Sequence, residues 1–445
     1  MPPLVKKVKK LDDYVYYKSD CGRVVIYKGD CREVMRLMDA ESVSSVVSDP
    51  PYGLSSGGDS GFMGHKWDAQ VPGTQYWQEV LRVCKPGAYL LAFGGTRTFH
   101  RLACYIEDVG FELRDVIGYL FGSGFPKSHD VAKAVDRLYG VERDKIRHKP
   151  RPETSGTMAG STDTRPWIEE SRVNGYHEVD GNTPATEDAL RWQGWGTSLK
   201  PAWEPVIVSR KPLTGTVAQN VLEHGTGAIN VDGCRVGTEG GTQKVNLEKG
   251  DVNGERAGQV LGKNISFKCD IGDIGKGRWP ANIIHDGSEE VLAVFPETGP
   301  SKKAVMGKGG DDKGNTVYGK YGDIVSALGH DDNGGSASRF FYTAKSDEKD
   351  RGDHNTHPTV KPVDLMQYLV RLVTPKDHTV LDPFMGSGST GVATLAEGCK
   401  FIGIEQDEKY CGIAVGRIRN KLIELGHAKA SAPPVKVLTL GRKVT

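Results

Sequence analysis

Leu381-Asp382-Pro383-Phe384-Met385-Gly386-Ser387-Gly388-Ser389-Thr390 reads as the end of a strand, a turn carried by two glycines and the start of a helix. That grammar can wrap a nucleoside, and it sets the fold class of what surrounds it. Upstream, a helix is expected from Pro362, with Leu365, Met366, Leu369, Val370 and Val373 as its apolar positions and Thr374-Pro375 as its stop. Downstream come a helix over 390–397, a strand over Phe401-Ile402-Gly403-Ile404 and a closing helix from Asp407 to Leu425. The other end of the chain repeats the pattern. Val24-Val25-Ile26-Tyr27, Ser45-Val46-Val47 and Ala88 to Phe93 are short apolar runs without clean alternation, as expected of strands buried on both faces. Between the last two, Tyr76 to Val83 reads as a crossover helix. The chain is α/β, with its two α/β pieces at opposite ends.

At 445 residues it exceeds an ordinary domain of roughly 100 to 200 residues, so two domains or one large insertion are expected. Residues 141–355 supply the insertion: Gly, Asn, Asp, Thr and charged residues dominate, and apolar periodicity is weak. Within it Arg143, Lys145, Arg147, Lys149 and Arg151 alternate, so an extended backbone would turn all five one way. A phosphate-tracking strand and a solvated linker both fit that pattern. Ser301 to Asp323 reads as a loop that orders on a polyanion or as disorder, and the tail beyond Ala428 as frayed. The 58 basic residues balance 57 acidic ones, which excludes a polycationic tail but not a local basic groove. Eight cysteines show no Cys-x-x-Cys spacing, so no metal site and no disulfide framework is expected, and a reducing cytoplasm fits. No apolar run approaches the roughly 20 residues of a membrane span, so a soluble protein is expected.

Gly386-Ser387-Gly388-Ser389-Thr390-Gly391 matches G-x-G-x-x-G, and Glu405 lies near the offset of a ribose-binding acid, so a dinucleotide has to be weighed. Asp382 discriminates. A carboxylate just before the turn opposes a pyrophosphate but welcomes a cationic α-amino group. S-adenosylmethionine carries that amine and no phosphate. Glu405, at the next strand's end, can accept hydrogen bonds from both ribose hydroxyls. Asp30, which with Gly29 closes a strand, can accept from an adenine amino group or simply cap a turn or helix.

A second motif, Ser48-Asp49-Pro50-Pro51-Tyr52, suits an aromatic amine. Such an amine is a poor nucleophile because its lone pair is delocalised into the ring. The Asp49 carboxylate and the Pro50 carbonyl offer acceptors for its two N–H bonds, drawing the nitrogen toward tetrahedral geometry with its lone pair free. Pro50 and Pro51 stiffen the loop, and Tyr52 offers a ring to stack on a base. A plain turn after a strand is the blander alternative. In duplex DNA the amine lies inside the stack, so the base has to be flipped out. Gly53 to Gly64, followed by His65-Lys66-Trp67-Asp68, reads either as a lid beside it or as a passive surface loop.

Asp49-Pro50-Pro51-Tyr52, His357-Pro358-Thr359-Val360-Lys361-Pro362, Asp382-Pro383-Phe384-Met385-Gly386-Ser387-Gly388 and Gly403-Ile404-Glu405, in that order, resemble the permuted (β-class) DNA amino-methyltransferases. The likeness covers residues 20–125 and 355–425. It implies a Rossmann-like, seven-stranded, circularly permuted S-adenosylmethionine-dependent methyltransferase fold, with two strands from the C-terminal segment and the remainder from the N-terminal one. The implied organisation is a catalytic half over 11–140, an inserted target-recognition region over 141–355, a cofactor half over 356–425 and a flexible tail over 426–445. Asp49, Pro50, Pro51 and Tyr52 would be catalytic. Asp30, Thr359, Lys361, Asp382, Pro383, Phe384, Gly386, Ser387, Gly388, Ser389, Thr390 and Glu405 would hold the cofactor, with Thr359 and Lys361 near the methionine carboxylate and Asp382 on its amine. Asp at the head of the tetrapeptide resembles adenine-N6-modifying members, with cytosine-N4 as the alternative and a protein or RNA methyltransferase or a non-catalytic DNA-binding relic as lesser readings. Double-stranded DNA is the implied partner, in the cytoplasm of a bacterial or phage-infected cell, with no membrane; a homodimer and a partner endonuclease are left open. Gly194 to Pro205 and Arg278 to Asn282 look similar to phage- and prophage-borne members.

Overall fold

A computed structural model describes residues 9–54, 68–124, 126, 128–149, 170–171, 173–237, 277–299, 334–344, 350, 355–357 and 359–429. The chain divides into two compact units, Met1–Gly122 together with Trp203–Thr445, and Ser123–Ala202. Strands in chain order are β1 (Val15–Lys18), β2 (Val24–Lys28), β3 (Val43–Ser48), β4 (Cys84–Phe93), β5 (Glu112–Leu120), β6 (Lys145–His148), β7 (His177–Asp180), β8 (Trp203–Arg210), β9 (Ile283–His285), β10 (Glu297–Thr298), β11 (Gly335–Ser336), β12 (Tyr342–Thr343), β13 (Thr379–Asp382) and β14 (Lys400–Glu405). The helices used below are α1 (Cys31–Leu37), α2 (Thr74–Val83), α3 (Phe99–Asp108), α4 (Val131–Leu138), α5 (Glu187–Arg191), α6 (Val217–His224), α7 (Val363–Val373), α8 (Ser389–Ala396) and α9 (Glu408–Glu424).

Ten strands form the sheet of the first unit, in the order β1-β2-β14-β13-β3-β4-β8-β5-β9-β12. Pairing is parallel from β2 through β14, β13 and β3 to β4, and antiparallel on both sides of β8. The sheet is therefore wider than the expected seven strands, because β1, β9 and β12 extend its edges. The expected origin of the strands also needs correction. β8 comes from the middle of the chain, and its Val206, Ile207 and Val208 are buried between β4 and β5. The compact insertion is accordingly Ser123–Ala202, and not the whole of 141–355.

Successive residues of a strand point to opposite faces, so a sheet covered on both sides needs apolar residues at consecutive positions. On β3, Val46 packs in one core with Leu90, Ala92, Leu381 and residues of α1, α2 and α3. Its neighbour Val47 joins Tyr89, Leu91, Phe93, Val380 and the buried face of α7 in a second. Each such side chain, fully buried, contributes about 1.5–3 kcal/mol. The helix expected from Pro362 is α7, with all five expected apolar positions buried. The closing helix is α9, begun by Asp407, whose carboxylate accepts from the backbone N–H of Lys409 at 2.7 Å and Tyr410 at 3.2 Å.

The second unit pairs β6 with β7 in antiparallel register, beside α4 and α5. Arg143 is withdrawn from the expected basic row: it is buried and ion-paired to Asp136 at 2.6 Å. Burial works against the Asp136 charge, but hydrogen bonds from Ala185, Thr186 and Arg143 win, and its carboxyl is held down at about 2. Lys145 pairs with Asp180, and Arg147 lies over the Tyr176 ring. Arg151, residues 55–67, Ser301 to Asp323 and the tail from 430 lie outside the described residues. Among the described residues no helix is long and apolar enough to cross a membrane, and no His/Cys/Asp/Glu group could hold a metal ion.

Candidate active site

The two motifs end neighbouring strands. β3 and β13 run parallel, pairing Ser45 with Val380 and Val46 with Leu381, so their C-terminal ends emerge side by side. Ser48, the last residue of β3, donates its hydroxyl to Asp382 Oδ1 at 2.6 Å, and Asp382 is the last residue of β13. Asp49 follows immediately. Residues 334 apart in sequence are thereby joined at the C-terminal ends of two central strands, where parallel α/β sheets place their ligands.

At the glycine turn Asp382 is buried and accepts three hydrogen bonds, from Ser48, from the Phe384 backbone N–H at 3.1 Å and from the Thr390 hydroxyl at 2.6 Å. Burial pushes its carboxyl up to about 6, against those neutral donors. Among the described residues no lysine or arginine forms an ion pair with it. Glu405 ends β14 and accepts from Gly386 N–H and Asp407 N–H, each at 2.9 Å; burial raises its pKa as well. Gly386 and Gly388 sit in the left-handed region at φ +52° and +82°. A Cβ on Gly388 would lie 2.9 Å from that of Ala414, so the close approach of α9 also demands glycine.

Pro383 is buried, and the Phe384 ring packs near Tyr76 and Trp77. Ser387 and Ser389 face inward. Their hydroxyls each accept from Arg417 of α9 at 3.1 Å, so these two staple the turn to the last helix. Thr359 is exposed, its carbonyl oxygen 2.6 Å from His357 Nδ1. Asp30 caps α1, its carboxylate accepting from Arg32 N–H at 2.8 Å, and pairs with the Arg32 guanidinium, which lowers its pKa.

At the tetrapeptide Asp49 Oδ1 accepts from the Tyr52 hydroxyl at 2.8 Å, and Oδ2 lies 3.2 Å from Lys361 Nζ. Lys361 also reaches Glu204 Oε2 at 3.0 Å and the Tyr52 oxygen at 2.9 Å. The structure therefore brings Lys361 to the Asp49 carboxylate of the tetrapeptide. The Tyr52 backbone is clamped on both sides, its N–H donating to Asp68 at 2.6 Å and its carbonyl accepting from Thr98 at 2.6 Å. Burial, then the Asp49 charge, raise the Tyr52 pKa far above the usual phenol, so its hydroxyl stays a neutral donor. Pro50 is buried and Pro51 half-buried.

A family model described as DNA methylase matches residues 43–416, a span that holds both motifs and everything between them. The chain belongs to the N6/N4 DNA methylase family. It is similar to the type II methyltransferase M.HindIII of Haemophilus influenzae, 22% identical over 431 residues, which are 88% of this chain and 94% of that protein. The type II methyltransferase M.BglI of Bacillus subtilis is 38% identical over 92 residues, 21% of this chain and 25% of that relative. Among solved structures, the M1.HpyAVI–SAM complex aligns over 88% of this chain and 99% of its own at 13% identity and TM-score 0.35. PvuII DNA methyltransferase, cytosine-N4-specific, aligns over 91% and 88% at 13% identity and TM-score 0.39.

In this DNA methylase, sequence reading missed Glu204, Asp68, Thr98 and Arg417. Nothing local marks Glu204, Thr98 and Arg417, which meet the site only through the fold. Asp68 carried the one available signal, as the acid in the stretch His65-Lys66-Trp67-Asp68 that follows the Gly-rich run after the tetrapeptide.

Proposed function

We propose that this DNA methylase transfers a methyl group from S-adenosylmethionine to the exocyclic N6 amino group of adenine in duplex DNA, with the base flipped out of the stack. The observation that carries the reading is the Ser48–Asp382 hydrogen bond, which puts an amine-accepting motif and a nucleoside-wrapping motif at adjoining strand ends. The donor set fits the cofactor. The buried Asp382 carboxylate suits an α-ammonium, Glu405 suits ribose hydroxyls, and the left-handed glycines let backbone approach a ligand closely. Bound there, S-adenosylmethionine supplies an electrophilic sulfonium methyl group.

The chain's own residues do the rest. Asp49 and the Pro50 carbonyl accept the two N–H bonds of the amine and localise its lone pair, while Tyr52 stacks on the base. The proton lost after methylation leaves to Asp49 or to water, so no strong base is needed. The catalytic motif precedes the cofactor motif in the chain, which supports a permuted arrangement. The separate Ser123–Ala202 unit supports reading the middle of the chain as the target-recognition region.

Incubating unmethylated DNA of mixed sequence with the enzyme and labelled S-adenosylmethionine, then digesting to nucleosides and weighing the labelled product, tests the reading. N6-methyladenine is the expected product. N4-methylcytosine would reassign the base, and DNA that takes up no label would overturn the proposal.

A further inference from the structure

Lys361 stands just before α7 with its side chain 10% exposed. An ammonium has three N–H bonds. Asp49 Oδ2, Glu204 Oε2 and the Tyr52 hydroxyl oxygen, at 3.2, 3.0 and 2.9 Å, account for all three. Its nitrogen also lies 5.2 Å from the centre of the Tyr52 ring and 4.9 Å from that of Phe93, over which a cation is attracted. The Tyr52 hydroxyl donates in turn to Asp49 Oδ1, so Asp49, Tyr52 and Lys361 close a ring of contacts with Glu204 on its outer side. His357 sits at the other motif: its Nε2 would lie 3.0 Å from a Cβ on Gly386. His357 is thus at the glycine turn, and Lys361 is at the tetrapeptide.

We propose that Lys361 and Glu204 are positioning residues of the methyl-transfer site, Lys361 orienting the Asp49 carboxylate and the Tyr52 ring and Glu204 holding the lysine, and that Lys361 does not bind the cofactor's carboxylate. The inference rests on the methyl-transfer reading and deepens it. Two carboxylates against one ammonium leave the cluster with one surplus negative charge. Glu204 supplies that surplus. With Lys361 and Asp49 alone, the lysine would neutralise the carboxylate that must attract an amine on its way to becoming cationic. A second carboxylate shares the ammonium, and the shorter of the two contacts is to Glu204. Burial works against the lysine's charge, but Asp49 and Glu204 outweigh it and lift its pKa to about 12, so the cation persists at any working pH.

The test uses the full-length protein as wild type, Lys361→Met, Lys361→Arg, Glu204→Gln and the Lys361→Met/Glu204→Gln double variant. S-adenosylmethionine binding is measured by calorimetry, and methylation is measured with DNA and cofactor saturating. Cofactor affinity is expected to stay within about threefold of wild type throughout, while kcat falls about 100-fold in Lys361→Met and about tenfold in Glu204→Gln. The double variant should be no worse than Lys361→Met, because Glu204 acts through the lysine, and Lys361→Arg should recover part of the rate. Cofactor binding weakened about tenfold or more with kcat unchanged would make Lys361 a cofactor ligand and overturn the proposal; so would losses that simply multiply in the double variant. Should Lys361→Met not fold, Glu204→Gln, which keeps the side-chain shape, decides by the same division between kcat and cofactor affinity. A wild-type chain that binds no S-adenosylmethionine and methylates no base overturns the underlying function, whereas an active wild type with failing variants separates the two.

Discussion

Asp382 and Asp49 end or follow two neighbouring parallel strands, yet the chain treats them oppositely. Asp382 is buried among neutral donors, and its proton is held up to about pH 6. Asp49 is half-buried and faces a lysine and a tyrosine hydroxyl. The difference separates two tasks. A carboxylate desolvated with no cation beside it gains most when a ligand brings one, which suits a binding acid. A carboxylate already held by a lysine and a phenol gains orientation, which suits an acid that must meet a small amine at one angle.

The largest break in that comparison is Asp49→Ala, which should lower methylation at least about 1000-fold while cofactor affinity stays near wild type. Equal loss of both, read by calorimetry beside a methylation assay, would merge the two tasks into one. Asp382→Ala should do the reverse, weakening S-adenosylmethionine about 10- to 100-fold, the worth of a charge-assisted hydrogen bond. Titration sharpens the contrast further. An ammonium needs Asp382 ionised, so cofactor affinity should fall as pH drops below about 6, approaching tenfold per pH unit, and Asp382→Asn should flatten that dependence. Stability carries the opposite sign. The unfolded carboxyl loses its proton near its ordinary value of 3.8 and the folded one near 6, so between these the native state binds more protons and loses stability as pH rises. Calorimetric unfolding of Asp382→Asn against wild type from pH 4 to about 7 checks this. The smallest effect belongs to Ser48→Ala. Losing one donor to a buried carboxylate should cost about 1–2 kcal/mol and shift the midpoint of the cofactor pH profile upward, which a denaturant melt and the same titration would read.

Much of this architecture is legible in the amino-acid sequence alone. The β-branched runs at 24–27, 45–47 and 379–381 mark strands because burial on both faces leaves no alternation to blur them. The tetrapeptide and the glycine turn are short, local and chemically specific, and the parallel pairing of β3 with β13 brings them together. β8 escapes such a reading because its apolar run, Val206-Ile207-Val208, stands alone in a long polar stretch of the chain, with no strand-and-helix pattern beside it. Composition averaged over a window hides a strand that two distant partners bury. Glu204 escapes for a related reason: on the sequence it is an acid between Trp203 and Pro205, and only the register against β5 and β4 carries it to Lys361. Arg143 misleads in the other direction, since alternation promises a shared face and a nearby aspartate takes one member inside.

β5 and β8 pair antiparallel along their whole length, ending with Leu120 opposite Trp203. The second unit leaves the chain after the first of these and returns just before the other. Its two entry points are thus a closed stem, zipped by backbone hydrogen bonds that owe nothing to what the stem carries. Such a socket tolerates a change in what it carries without moving the neighbouring ends of β3 and β13.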